Sequence, residues 1–360
     1  MLAAVTVGVT VIVLLGAAEI VLRFLPVATG MRTVAVSASS PVFHFAPNRN
    51  FLFLRDWDMI MANRGHINNA GFVNDQDYRK DDKTPLLAVV GDSYIEAAMA
   101  PYGQTLHGRL AKNFEGRLRV YSFGASGAPL SQYLIWARHA VREYGAQALL
   151  INVVGNDFDE SLAAYKAGTG FWHYVPDANG QLQLRLFAYR PGMLRDIALN
   201  SALVRYLRFH LQAGARWQEL KSLFGGPAMA EPRYAGNTAA GADPARIRDS
   251  LAVIDAFFRD LPKYTGLPAE RIAFTLDGFR YPDVAENSAG SYFDLMRRAF
   301  KEKAQAAQYE VIDLDPAFFA RYRRTGERFE FARDGHWNPI GHAVAFDAVL
   351  HSQFLAALMR

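Results

Sequence analysis

A short apolar run that ends in glycine, aspartate and serine is the feature that most constrains how this chain folds. Residues 86–90 read LLAVV, which is too short for a helix and is typical of a buried parallel strand. Gly91, Asp92 and Ser93 follow directly, and a helix-compatible pattern begins at Tyr94. Open α/β sheets bind their ligands beyond the carboxyl ends of the strands, so Ser93 stands where a functional group is expected.

Two interpretations of Ser93 remain open on this stretch alone. As a nucleophile, the serine would have free backbone N–H groups and the positive end of a helix beside it, which suits a developing oxyanion. As a structural residue, Ser93 would form a capping box with Glu96 and only begin the helix.

The alternation of strand and helix patterns continues along the chain and predicts an α/β fold. The predicted strands cover residues 86–90, 118–123, 148–154, 271–276 and 309–314. The second strand ends at Gly124, and the third runs into Gly155, Asn156 and Asp157. Turns that follow parallel strands lie on one edge of the sheet, so these residues are expected close to Ser93.

Two stretches depart from this rhythm. Residues 26–84 hold turn residues and many aromatic side chains, which predicts an irregular connecting segment packed on the body. Residues 158–245 predict an inserted cap of helices and loops, with a helix expected over 194–223. We therefore expect an N-terminal helix at 1–25 and one domain at 85–360 that contains the insertion.

The first 25 residues predict a single membrane-spanning helix. Residues 2–16 carry no charge, and the apolar pattern continues to Leu25 with only Glu19 and Arg23 inside it. About 20 residues cross a bilayer, and Glu19 and Arg23 can pair at the interfacial end. A buried core helix and a signal peptide are the alternatives. A signal peptide is disfavoured, because the stretch has neither a basic region before the apolar run nor a small-residue cleavage site after it. Arg23 and Arg32 follow the span, which favours a cytoplasmic body.

Composition and motifs exclude several classes of site. The chain has no cysteine, which excludes disulfides, thiol catalysis and thiolate metal sites. The net charge of +4 comes from residues scattered along the chain, so no nucleic-acid partner is expected. No phosphate-binding loop or metalloprotease motif occurs, and no cofactor or metal is expected.

Asp334 and His336 precede the last predicted helix and supply the groups that a serine nucleophile needs. Acyl transfer through serine requires a base, a carboxylate that orients the base, and an oxyanion hole. The backbone of Gly124 and the amide of Asn156 can stabilise an oxyanion, although both also suit ordinary turns. Asp334 and His336 could also form a surface pair. His336 and His342 are six positions apart, which disfavours a shared metal.

Together these residues form an ordered set that resembles a known superfamily. The blocks Gly91-Asp92-Ser93, Gly124, Gly155-Asn156-Asp157 and Asp334-x-His336 are similar to the four blocks of the SGNH (GDSL) hydrolases. The resemblance covers residues 86–355 and implies a flavodoxin-like three-layer α/β/α sandwich with a five-stranded parallel sheet. It also implies roles for the site residues: Ser93 as nucleophile, His336 as base, Asp334 as its partner, and Ser93 N–H, Gly124 and Asn156 as oxyanion hole.

The last block departs from the common pattern of the superfamily. Many members have two residues between the final aspartate and histidine, whereas this chain has one, followed by Trp337. This Asp-x-His-Trp form is similar to membrane-anchored SGNH esterases and polysaccharide O-acetyltransferases. The departure leaves the detailed Asp–His geometry open. Asp92, Trp337 and Trp172 are candidate substrate contacts, although Trp172 equally suits ordinary packing.

The resemblance implies a serine esterase or O-acyltransferase that acts on acyl groups, above all acetyl groups, of a cell-envelope carbohydrate. It implies an inner-membrane protein with a single span and a periplasmic catalytic domain, near partners from polysaccharide biosynthesis. The residues do not decide whether water or a sugar hydroxyl accepts the acyl group. The rival is a non-catalytic protein that keeps the scaffold and binds glycan or assists polysaccharide assembly, since a fold alone does not fix function.

Overall fold

A five-stranded parallel sheet lies at the centre of the structure, a computed structural model that describes residues 2–55, 61–211, 238 and 240–360. The strands in chain order are β1 (Arg49–Arg55), β2 (Met61–Ile67), β3 (Leu86–Gly91), β4 (Arg119–Gly124), β5 (Ala148–Val153), β6 (Trp172–Pro176), β7 (Leu182–Leu186), β8 (Ile272–Leu276), β9 (Glu310–Asp313), β10 (Glu330–Phe331) and β11 (Asp334–Trp337). The central sheet has the order β4-β3-β5-β8-β9, in which every neighbouring pair is parallel. This is the 2-1-3-4-5 order of flavodoxin-like folds, and it confirms the predicted fold class.

Helices cover both faces of the sheet. In chain order they are α1 (Leu2–Arg23), α2 (Ser93–Glu96), α3 (Leu106–Asn113), α4 (Leu130–Tyr144), α5 (Met193–Asn200), α6 (Ala202–Arg205), α7 (Pro244–Thr265), α8 (Pro282–Asn287), α9 (Tyr292–Ala306), α10 (Asp315–Thr325), α11 (Pro339–Leu350) and α12 (Gln353–Leu358). Side chains of β3 alternate between two cores: Leu86, Ala88 and Val90 pack toward α4, α7 and α9, whereas Leu87 and Val89 pack toward α3, α10 and α11. Both faces of the sheet are therefore buried, which explains the continuous apolar strands.

The segment between α1 and the sheet is more regular than expected. Residues 26–84 contain β1 and β2, which pair as an antiparallel hairpin. Phe43, Phe45 and Phe51 are buried in the core beside the sheet. The expectation of an irregular segment was wrong here, because the β1–β2 ladder pairs polar as well as apolar residues and leaves only a weak alternation in the sequence.

The insertion between β5 and β8 begins with the hairpin β6–β7 and continues as short helices. The helix predicted over 194–223 is broken: α5 ends at Asn200, Ser201 caps α6, and a π-helical turn follows at Tyr206–His210. The rest of that prediction, from residue 212 onward, lies outside the described residues.

The N-terminal helix α1 matches the predicted span. It has 22 residues, none of them buried, and is long and apolar enough to cross a membrane. Length and composition support this interpretation, and they equally fit a signal sequence.

Candidate active site

Ser93 is the first residue of α2, and only Asp92 stands between it and the end of β3. Asp92 is the N-cap of α2, because its Oδ1 accepts a hydrogen bond of 2.9 Å from the Tyr94 backbone N–H. The capping-box interpretation of Ser93 is therefore wrong, since Ser93 is already the first helical residue. The helix is only one turn long and ends at Ala97, whose φ of 44° is left-handed.

A hydrogen-bonded chain joins Ser93, His336 and Asp334. Ser93 Oγ lies 2.6 Å from His336 Nε2. His336 Nδ1 contacts Asp334 Oδ1, which also accepts a 2.8 Å hydrogen bond from the His336 backbone N–H. A single glycine separates Asp334 from His336, so one carboxylate fixes both the backbone and the ring. The chain brings together residues that are 243 positions apart.

Arg55, at the end of β1, is a further member of this cluster. Its guanidinium pairs with Oδ2 of Asp334, the oxygen that does not face His336. Both carboxylate oxygens of the nearly buried Asp334 are thus engaged. No pattern in the sequence marked Arg55, because it lies in the segment expected to be irregular.

A buried polar network holds the Asp334–His336 loop against the sheet edge. Tyr94 donates its hydroxyl hydrogen to the Gly335 carbonyl at 2.9 Å, and Arg280 donates to the same carbonyl at 2.7 Å and to the Tyr94 hydroxyl at 2.7 Å. Arg280 forms a fully buried ion pair with Asp277 at 2.8 Å. Asp277 also accepts from the Trp337 indole at 3.1 Å. These contacts fix the backbone on both sides of His336.

Asp277 and Arg280 were also missed from the sequence. Asp277 follows β8 directly, so it obeys the same strand-end rule that singled out Ser93, Gly124 and Asn156. Arg280 carries no such signal. Its backbone adopts a φ of 65°, which a non-glycine residue rarely adopts, and its backbone N–H donates to Asp315 at 3.0 Å.

The three candidate substrate contacts, Trp337, Asp92 and Trp172, differ in how deeply they are buried. Trp337 is fully buried in the core. Asp92 is also buried, and its Oδ2 lies 3.1 Å from Ser93 Oγ. Trp172 donates its indole hydrogen to the Pro41 carbonyl at 2.9 Å. Trp337 and Asp92 therefore serve packing and local hydrogen bonding, because an indole or a carboxyl satisfied inside the protein has no free face for a ligand. Trp172 is only half-buried, and its contact with a substrate remains a prediction.

The two remaining oxyanion candidates differ in their surroundings. A Cβ on Gly124 would lie 2.8 Å from the Glu96 backbone N and 2.9 Å from the Asp92 carbonyl oxygen, so Gly124 packs directly against the α2 turn. Asn156 follows β5, and its amide donates to Glu160 at 3.0 Å. The roles of Gly124 and Asn156 in an oxyanion hole remain predictions.

Burial sets the protonation of the groups around Ser93. Burial lowers the pKa of His336, an effect that Asp92 opposes and Arg280 reinforces. The imidazole therefore stays neutral, the form that a base needs, to lower pH than an ordinary histidine. Burial also raises the pKa of Asp92, and it raises the pKa of Glu96 to about 7.

Two cavities of different character adjoin the site. The larger, about 620 Å³, reaches Arg55 and Glu96 and is otherwise mostly aromatic and aliphatic. Its apolar wall includes Phe43, Phe45, Phe51, Phe53, Phe171 and Phe209. The smaller, about 310 Å³, lies beside Asn156 and is lined by charged and polar residues that include Glu160, Lys166 and Arg246. Within the described part of the chain, no group of three or more histidine and acidic side chains is arranged to hold a metal ion.

Comparisons with known proteins find matches among solved structures alone. No protein-family model and no curated protein matches the chain. A lipase from a goat rumen metagenome is 12% identical, with a TM-score of 0.39 over 75% of this chain and 98% of that one. A member of the lipolytic G-D-S-L family from Veillonella parvula is 12% identical, with a TM-score of 0.36 over 75% and 98% of the two chains. An acetyl xylan esterase is 12% identical, with a TM-score of 0.39 over 74% and 98%.

At these TM-scores the likenesses carry no weight for function. The sheet order and the meeting of Ser93 with Asp334 and His336 come from the chain's own structure. They agree with the SGNH resemblance.

Proposed function

We propose that this protein is a serine ester hydrolase or O-acyltransferase that works through Ser93, His336 and Asp334. The observation that carries the proposal is the 2.6 Å contact between Ser93 Oγ and His336 Nε2, with Asp334 on the other ring nitrogen. A nucleophile in hydrogen-bond reach of a base, and a base oriented by a third group, is the arrangement that activates serine.

The reaction has two halves. His336 Nε2 takes the hydroxyl proton as Ser93 Oγ attacks the ester carbonyl, and the imidazolium is stabilised by Asp334. The backbone N–H groups of Ser93 and Gly124 and the amide of Asn156 stabilise the tetrahedral oxyanion. The carbon–oxygen bond to the alcohol breaks, and His336 returns the proton to that oxygen. Water or an acceptor hydroxyl then attacks the acyl-serine, with His336 as base again, and Ser93 regains its proton.

The proposed substrate is an acetyl ester of a cell-envelope carbohydrate. The polar cavity beside Asn156 supports this proposal, because Glu160, Lys166 and Arg246 offer both acceptors and donors for sugar hydroxyls. The apolar length of α1 supports a single-span inner-membrane protein, and we place its catalytic domain in the periplasm, beside proteins of polysaccharide biosynthesis.

The decisive experiment compares Ser93→Ala with the intact chain on an activated acetyl ester. Turnover is expected to fall to the uncatalysed background while the thermal unfolding midpoint is retained, and the exposed-site variant Ser39→Ala is expected to keep full turnover. Undiminished turnover in Ser93→Ala would refute the assignment.

A fluorophosphonate probe gives a second readout, since labelling at Ser93 requires an activated hydroxyl. An unlabelled protein would instead favour the non-catalytic glycan-binding alternative.

A further inference from the structure

Helix α5 exposes an apolar face on the surface of the insertion. Met193, Leu194 and Ile197 are 76%, 79% and 59% exposed, counted over the described residues. Their spacing places them on one side of the helix. On the opposite side, Leu199 is buried and lines the apolar cavity that reaches the active site. An exposed cluster of this kind on a short helix calls for an apolar partner.

The end of α1 holds this region of the insertion in place. Glu19 accepts hydrogen bonds from the Ser201 hydroxyl at 2.7 Å and from the backbone N–H groups of Ala202 at 3.1 Å and Leu203 at 2.8 Å. It also pairs with Arg23 at 2.8 Å. Glu19 thus satisfies the free N-terminal amides of α6, which follows α5 after a single residue. The apolar helix α1 is therefore joined to the folded body.

A membrane-spanning α1 would put this joint at the depth of the membrane surface. From Leu2 to Glu19, α1 supplies 18 residues, which rise about 27 Å at 1.5 Å per residue, and the hydrocarbon core of a bilayer is about 30 Å thick. If α1 spans the membrane, Glu19 and the α5–α6 junction are then at the boundary between hydrocarbon and head groups. Phe24 and Leu25, which follow α1, are 85% and 53% exposed.

The charges around α5 are mostly positive. Arg190, Arg195 and Arg208 are exposed, and the acidic residue of α5 is the half-buried Asp196. Arg195 donates to the Tyr189 hydroxyl at 2.6 Å, which holds its side chain beside the cavity wall. Basic residues beside an exposed apolar helix face are the composition of helices that lie in the interface of an anionic bilayer.

We infer that α5 is a second membrane contact, which lies in the interface beside α1 with Met193, Leu194 and Ile197 in lipid. The inference rests on α1 spanning the membrane and does not require catalysis. The partner is an anionic lipid bilayer, chosen over a protein because the surface is continuous with the exposed end of α1. The wall of the apolar cavity, which includes Arg195 and Leu199, is then held against the membrane surface.

The absence of cysteine allows a direct test in the full-length protein. Single variants Leu194→Cys and Ile197→Cys are labelled with an environment-sensitive fluorophore and reconstituted in vesicles of phosphatidylethanolamine and phosphatidylglycerol. Lipids that carry a quencher on the acyl chain report contact with hydrocarbon. Val11→Cys in α1 is the membrane-embedded control, and Glu302→Cys on the exposed face of α9 is the aqueous control.

The labels at residues 194 and 197 are expected to lose emission when quencher lipid is added, whereas the label at 302 keeps its emission. Labels at 194 and 197 that behave like the label at 302 would overturn the inference. The inference would also be overturned if these labels were shielded from the quencher lipid only at a high protein-to-lipid ratio, because a second copy of the chain would then cover the face. An unquenched label at 11 would show that α1 is not in the bilayer and would remove the basis of the inference. None of these readouts depends on turnover.

Discussion

Arg55 and Asp334 form an ion pair although they are 279 positions apart in the chain. Asp334 uses its other carboxylate oxygen to hold His336. The pair therefore ties the N-terminal hairpin to the loop that carries His336, and it brings a positive charge close to the imidazole.

Replacing Arg55 with glutamine is expected to move the acid limb of activity to higher pH. Arg55 is among the groups that lower the pKa of His336, so its removal raises that pKa, and the base is lost by protonation at a less acidic pH. The rate at neutral pH is expected to fall by up to about 100-fold as Asp334 loses its fixed position. The measurement is kcat/KM against pH for an activated acetyl ester. Arg55→Lys, which keeps the charge, is expected to leave the limb near its original position. An unshifted limb in Arg55→Gln would contradict the coupling.

Substituting Gly124 with alanine is expected to impair both the α2 turn and turnover. The new Cβ would lie 2.8 Å from the Glu96 backbone N and 2.9 Å from the Asp92 carbonyl oxygen, so the turn that carries Ser93 has to move. Such overpacking costs about 1–3 kcal/mol. Gly103→Ala is the matched control, because a Cβ at that position would meet no other atom within 4 Å. Urea unfolding and turnover are measured for both variants, and equal behaviour would show that the turn tolerates a side chain.

Removing the hydroxyl of Tyr94 is expected to loosen the loop that carries His336. In Tyr94→Phe, the Gly335 carbonyl loses its 2.9 Å hydrogen bond and Arg280 loses a 2.7 Å acceptor, both inside the protein. The expected loss of stability is about 1–3 kcal/mol, with kcat reduced more than KM is raised. Tyr309→Phe is the control. Tyr309 precedes β9 and so lies at the amino end of that strand, whereas the site lies at the carboxyl ends, and the variant is expected to keep its kcat. A Tyr94→Phe enzyme with normal kcat would refute the positioning role of the network.

Glu96 gives a pH dependence of stability with a definite sign. Burial raises its pKa from 4.5 to about 7, so between these values the folded state binds more protons than the unfolded state. The stabilising contribution is complete below the unfolded pKa and is lost as pH rises through the folded pKa, at up to about 1.4 kcal/mol per pH unit. Glu96→Gln removes this contribution.

The measurement for Glu96 is the difference in thermal midpoint between Glu96→Gln and the intact chain at about pH 5 and about pH 8. The difference is expected to move in favour of the variant as pH rises. Glu302→Gln, at an exposed position on α9, is expected to show no such trend. A difference that stays constant with pH would mean that Glu96 titrates as an ordinary surface carboxyl does.

The sequence was sufficient for the sheet and for the central part of the site. The strands of the central sheet were predicted to within one residue at each end, because they are buried on both faces and leave continuous apolar runs. Ser93, Asp334 and His336 were identified because each stands where an element begins or ends, and a strand end or a helix start leaves a local signal in neighbouring residues. Their meeting follows from the strand order, which the resemblance to the SGNH hydrolases already implied.

The neighbours that complete the site depend on tertiary packing. Arg55 reaches Asp334 through the packing of a hairpin from a distant part of the chain, and Arg280 reaches Gly335 through a left-handed turn. The same packing buried Trp337, which sequence reasoning had placed at the substrate. Adjacent residues determine where a strand or a helix ends, whereas a contact across the fold depends on the relative position of whole elements. The free energy that selects such contacts is summed over the entire core, so no local pattern records it.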